Sequence, residues 1–132
     1  MRIPFPLIDS GLAVIPHMYV CLNKSGDTKN FVKCQSLKPR HLGKNKEPFR
    51  RIEEDPDSTR NPFKQKTLID CDKKFLIEST EISKDLLTSS RRDVCQSLFD
   101  KIKSETSHAS LATHRIDSVS LAYLNSKIKA KS

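Results

Sequence analysis

The stretch of sequence that decides the fold is MYVCLNKSGDTKNFVKCQSL, residues 18–37. Its first five residues are β-branched, aromatic or aliphatic, and in residues 31–37 apolar side chains alternate with polar ones, so both segments are typical of β-strands. The residues between them, 23–27, are rich in turn formers such as Gly26 and Asp27. The sequence therefore predicts a β-hairpin that places Val32 and Cys34 on one face.

Two more strand-like segments and a helix follow along the chain. Residues 67–71 and 74–78 are rich in aliphatic or aromatic side chains, and the polar pair between them forms either a bend within one strand or a link between two. A helix is predicted from Ser89 or Ser90, whose hydroxyl can cap the first turn, to Ser104. Its apolar residues recur at helical spacing and are expected to pack on the sheet; they are Val94, Cys95, Leu98, Phe99 and Ile102. The predicted fold class is mainly β with a C-terminal helix.

The remaining segments are more polar. Residues 38–66 contain four prolines and few aliphatic side chains, which predicts a long basic loop without regular structure. After Ser104 the chain is rich in Ser, Thr, Ala and Lys, and Leu121, Tyr123, Leu124 and Ile128 favour at most a weak helical turn or two. The expected organisation is one domain over residues 1–104 and a polar C-terminal tail over residues 105–132.

Positive charge is the first functional signal. The 132 residues include 24 Lys and Arg against 16 Asp and Glu, a formal net charge of +8, which favours a polyanion or an acidic protein as partner. The excess is concentrated in residues 38–51, where six basic residues face only Glu47. This segment is either a solvated loop or one that tracks phosphates.

Several other classes are disfavoured by the sequence. Prolines interrupt the apolar stretch between Ile3 and Leu22, so neither a membrane span nor a signal peptide is predicted, and a cytoplasmic location is expected. The four cysteines include no close pair, which argues against zinc. No phosphate-binding glycine loop, GxSxG elbow or HExxH pair is present.

Polar residues at the ends of the predicted strands offer one possible chemistry. They are His17, Gln35, Ser36, Asp70 and Asp72. Such a set suits RNA cleavage without a metal, in which a base takes the 2′-hydroxyl proton, an acid protonates the leaving oxygen and a cation stabilises the phosphorane.

Four segments, taken in order, resemble the PemK/MazF family of toxins. They are IPFPLIDSGLAVIPHMYVCL (3–22), FVKCQSLKP (31–39), KTLIDCDKKFLIE (66–78) and LLTSSRRDVCQSLFDKI (86–102). The resemblance implies a small SH3-like β-barrel, usually a homodimer, that cleaves single-stranded RNA without metal or cofactor and is neutralised by a cognate antitoxin.

The resemblance also implies roles for individual residues. Ser36 matches a catalytic or substrate-binding Ser/Thr, Asp72 matches the acid of a conserved triplet, and His17 lies beside an arginine–proline position of the family. RNA contacts are expected from the basic loop; the candidates are Lys38, Arg40, Arg50, Arg51 and Arg60.

This sequence departs from the family at two positions. Ile15 and Asp70 stand where the family has arginines. The expected function is a toxin-like endoribonuclease, and these losses support the alternative of a barrel of the same lineage that binds nucleic acid or a protein without cleaving. A third alternative is an unrelated α+β interaction module whose basic loop meets an acidic partner.

Overall fold

The computed structural model describes residues 18–84 and 93–131 of the chain. Within these ranges the protein is mainly β, with two helices in its C-terminal half, as the sequence predicts at this coarse level. The elements are β1 Met18–Ser25, β2 Thr28–Ser36, a 3₁₀ turn Pro39–His41, β3 Arg51–Glu54, β4 Thr67–Asp70, β5 Lys73–Glu78, β6 Thr80–Ile82, α1 Gln96–Glu105, β7 Ala112–Ile116, α2 Ser118–Leu124 and β8 Ile128–Ala130.

The predicted hairpin is confirmed and forms the centre of the sheet. β1 pairs antiparallel with β2 from Met18 opposite Cys34 to Ser25 opposite Thr28, so the strand extends three residues beyond Leu22. Gly26 and Asp27 form the tight turn between the two strands. Gly26 has a φ of 57°, a left-handed conformation that glycine adopts without steric cost.

The segment over residues 67–78 forms two strands rather than one bent strand. β4 and β5 both pair antiparallel with β2, β4 with residues 34–36 and β5 with residues 28–31. Because β1 occupies one edge of β2 along its length, β4 and β5 must follow one another along the opposite edge. The chain breaks away from that edge between them, at Cys71 and Asp72.

Each of these two strands adds a further neighbour. β3 pairs antiparallel with β4, and β7 pairs parallel with β5, which gives the path β3-β4-β2-β5-β7 with β1 on the other side of β2. Among the described residues β3 and β7 do not pair, so no closed barrel is found. The presence of β3 corrects the prediction of a loop without regular structure over residues 38–66, because Ile52 is buried and draws this short segment into the sheet.

The first hydrophobic core lies between one face of the sheet and α1. Val32, Ile52 and Ile69 project from the strands, and the helix contributes Leu98 and Ile102. The predicted helical start at Ser89 or Ser90 is wrong, because α1 begins at Gln96 and the residue before it has extended backbone. Ser89 and Ser90 themselves lie outside the described residues.

A second core involves the C-terminal segment, which the sequence predicts to be a polar tail. It joins Phe31, Phe75 and Ile77 of the sheet to residues of β7, α2 and β8; these are Ile116, Leu121 and Ile128. β8 pairs antiparallel with β6 as a separate two-stranded sheet. β7 extends the sheet itself, and residues 118–130 pack on the face opposite to the first core at the β5 end.

Candidate anion-binding site

Three charged side chains project from neighbouring strands at the same level of the sheet. Arg51 of β3 is paired with Asp70 of β4, and Lys33 of β2 lies one position beyond the pair formed by Cys34 and Ile69. Paired residues share a face, and successive residues alternate. Since Cys34, Ile52 and Ile69 point into the first core, Arg51, Asp70 and Lys33 project from the opposite face.

Asp70 is the buried centre of this group, with 2% of its surface exposed. Its Oδ1 accepts a hydrogen bond from the backbone N–H of Asp72 at 2.8 Å, and its Oδ2 lies 3.3 Å from Lys73 Nζ. A buried carboxylate needs such partners, because the loss of hydration is costly for an isolated charge.

More cations surround Asp70 than one carboxylate can neutralise. Burial lowers the pKa of the Lys33 ammonium, the charges of Lys73 and Arg40 lower it further, and Asp70 acts against them. Lys33, Arg40, Arg51 and Lys73 are called the cationic cluster below. Asp70 and the partly exposed Glu53, whose Oε2 is 3.3 Å from Arg51 Nε, offset part of their charge.

His41 shows that the cationic cluster converges in space. This buried imidazole accepts the Lys38 backbone N–H at Nδ1, at 2.8 Å. Burial lowers its pKa, and the positive charges of Arg40, Arg51 and Lys33 lower the pKa further. His41 therefore lies within electrostatic reach of three of the four cluster members.

Arg51 has capacity for another ligand. Its side chain is 18% exposed, and its buried Nη1 has no hydrogen-bond partner within the part of the chain that the structure describes. A buried guanidinium N–H without an acceptor is unfavourable, and oxygens of phosphate or carboxylate are the acceptors that best fit this group. The cationic cluster is therefore suited chemically to bind an anion.

The structure does not bring the residues proposed for catalysis together. Ser36 pairs with Thr67, the first residue of β4. Asp72 lies two residues beyond Asp70, the last residue of that strand. Thr67 and Asp70 are separated by about 10 Å of extended chain, so Ser36 and Asp72 lie at opposite ends of β4. His17 lies outside the described residues.

The carboxylate of Asp72 is occupied by backbone groups. Its Oδ2 accepts the Phe49 N–H at 2.6 Å, and its Oδ1 accepts the Arg50 N–H at 3.3 Å. Asp72 thus connects the backbone just before β3 to the link between β4 and β5. In this arrangement its hydrogen bonds position the loop.

The five cations expected to contact RNA fall into three groups. Arg40 and Arg51 belong to the cationic cluster, and Lys38 and Arg50 are exposed and lie within two positions of these residues along the chain. Arg60 lies on the other face of the sheet, where its Nε is 2.7 Å from Glu54 Oε1 and its Nη1 is 3.3 Å from Ser97 Oγ of α1. The sequence prediction missed Lys33 and Lys73, although strand alternation places Lys33 opposite the core side chains.

No match was found when the chain was compared with protein-family models, curated proteins and solved structures. Within residues 18–84 and 93–131, no group of three or more His, Cys, Asp and Glu side chains could hold a metal ion. The same residues include no helix that is long and apolar enough to cross a membrane.

Proposed function

We propose that the chain binds single-stranded RNA, with phosphates held by the cationic cluster. The observation that supports this function most directly is the group of Arg51, Lys33 and Lys73 around one buried carboxylate, in which Arg51 Nη1 has no hydrogen-bond partner among the described residues. Phosphate contacts supply most of the sequence-independent affinity for nucleic acid. A polymer is favoured over a single small anion, because the adjoining loop carries four further exposed cations; they are Lys38, Lys44, Lys46 and Arg50.

The resemblance to PemK/MazF toxins supplies the rest of the proposal. It adds a small SH3-like barrel as the ancestral architecture, a homodimer, a cognate antitoxin and a cytoplasmic location. The two adjacent strands β4 and β5 on one edge of β2 support a strongly bent sheet, which a small barrel requires. The missing arginines at Ile15 and Asp70 favour binding without cleavage.

Arg51→Ala is expected to weaken RNA binding and to reduce its dependence on salt. Each lost phosphate contact to a single strand should lower the slope of log K against log salt by about 0.7. The measurement is the affinity for a short unstructured RNA at several salt concentrations. Arg60→Ala is the matched control, because it removes an arginine from the opposite face. Equal slopes for the parent and Arg51→Ala would contradict the proposed site.

Metal-independent RNA cleavage is the second candidate function, and Lys33 is the observation that favours it. Burial and the charges of Lys73 and Arg40 lower the pKa of the Lys33 ammonium, and a lowered pKa is the direction that a proton acceptor for a 2′-hydroxyl requires. Arg51 lies one strand beyond Asp70 on the same face and could stabilise a phosphorane. Under this function Lys33, rather than Ser36 or Asp72, is adjacent to the bound phosphate.

Incubation with a long single-stranded RNA in EDTA separates the two functions. If the parent cleaves, Lys33→Arg should lose cleavage and keep RNA affinity, because arginine retains the charge but does not release a proton near neutral pH. Asp72→Asn is the comparison variant, since the family resemblance assigns the acid there. RNA that remains intact under conditions where it is bound supports binding alone.

A further inference from the structure

Phe49 is an exposed aromatic residue at the edge of the cationic cluster. Its side chain belongs to a residue that is 63% exposed, and it precedes Arg51 by two positions, so their Cα atoms are at most about 7 Å apart. A single exposed apolar residue is common on protein surfaces. Phe49 differs from a scattered apolar residue because hydrogen bonds hold its backbone in place.

The backbone at Phe49 is fixed on both sides. Asp72 Oδ2 accepts the Phe49 N–H at 2.6 Å, and the Arg50 carbonyl accepts the Cys71 N–H at 3.0 Å. Arg51 then enters β3 opposite Asp70. These contacts hold the main chain while the ring faces solvent, so binding to the ring would require little additional ordering.

A continuous series of contacts connects Phe49 to the cationic cluster. Asp72 binds the Phe49 N–H, and the Asp72 N–H donates to Asp70 Oδ1 at 2.8 Å. Asp70 Oδ2 in turn lies 3.3 Å from Lys73 Nζ. An exposed ring and a set of phosphate-binding cations are therefore held by one small hydrogen-bonded framework.

We infer that Phe49 is a platform on which an unpaired RNA base stacks while the neighbouring phosphates lie against the cationic cluster. This inference rests on the proposed RNA-binding function and adds its mode of recognition. Aromatic rings beside cationic grooves bind single strands with little sequence preference, because every base has a stacking face. Paired bases keep their faces within the duplex, so the platform favours single strands.

The test compares a short unstructured RNA with an oligomer of the same length that carries the ribose-phosphate backbone without bases. Phe49→Ala should weaken binding of the RNA by roughly 5- to 150-fold, the range for loss of one stacked base. It should leave affinity for the base-free oligomer and the salt slope unchanged. Leu42→Ala is the matched control, since Leu42 is another exposed apolar residue of the basic loop.

Phe49→Trp supplies a direct readout of stacking. The chain contains no tryptophan, so the fluorescence of this variant reports on position 49 alone. RNA should quench it, and the base-free oligomer should quench it far less.

Equal loss of affinity for both oligomers in Phe49→Ala, or no loss for either, would overturn the stacking inference while leaving the RNA-binding proposal intact. An unquenched tryptophan in a variant that binds RNA would also overturn it. Failure of the parent to bind either oligomer would instead reject the RNA-binding function, and with it this inference. If an acidic peptide binds at position 49 and RNA does not, the surface is a protein interface and both proposals are wrong.

Discussion

Leu98→Ala is expected to lower the free energy of unfolding by about 2–5 kcal/mol, the range for truncating a fully buried leucine. Leu98 is 0% exposed and lies in the first core, between α1 and the strands of the central sheet. Other members of this core, such as Val32 and Ile69, are fixed in paired strands, so the site has little freedom to collapse. Denaturant unfolding followed by circular dichroism measures the change.

Lys101→Ala is the control for this experiment. Lys101 lies on the exposed side of the same helix, and a surface substitution of this kind should change stability by no more than about 0.5 kcal/mol. If Leu98→Ala were as stable as Lys101→Ala, α1 would not pack on the sheet as described.

Asp70→Ala should also be strongly destabilising, by about 3 kcal/mol. The change removes the acceptor for the Asp72 N–H and the buried carboxylate opposite Lys73. Breaking a buried ion pair costs about 3–5 kcal/mol when one partner is removed. The lower end is expected here because the Lys73 side chain is partly exposed and can regain water.

Asp70→Asn separates the two roles of this residue. The amide oxygen can still accept the Asp72 N–H, so the variant should be more stable than Asp70→Ala. Its RNA affinity should exceed that of the parent, because a negative charge next to the bound phosphates is lost. Thermal melting and RNA titration measure the two effects. An RNA affinity equal to that of the parent would show that the phosphates lie away from Asp70.

The sequence predicted those elements whose periodicity is strong. The hairpin and β4 and β5 have clear runs of apolar residues, and the helical spacing of Leu98 and Ile102 identified the buried side of α1. β3 was missed because only Ile52 of its four residues is apolar. β7 was missed because its place in the sheet depends on parallel pairing with β5, which no local pattern reveals.

The candidate site depends on cross-strand register, which the sequence does not specify. Lys33, Arg51 and Asp70 are far apart along the chain and become neighbours only when β3, β4 and β2 pair at particular positions. The charge density of the basic loop predicted Arg40 and Arg51 as candidate RNA contacts, and the structure places both in the cationic cluster. The burial of Asp70 among cations depends on the same register and therefore could not be predicted.

The parallel pairing of β5 with β7 also affects how the chain folds during synthesis. Residues 73–77 find their partners only at residues 112–116, and the second core is completed by Ile116, Leu121 and Ile128. At roughly 5–20 residues per second, translation takes several seconds to pass from the end of β5 to β8. For that interval Phe31 and Phe75 lack the side chains that later cover them. The nascent chain is therefore exposed to chaperones, or to association with other unfinished chains, through the face of the sheet that its own C-terminal segment finally covers.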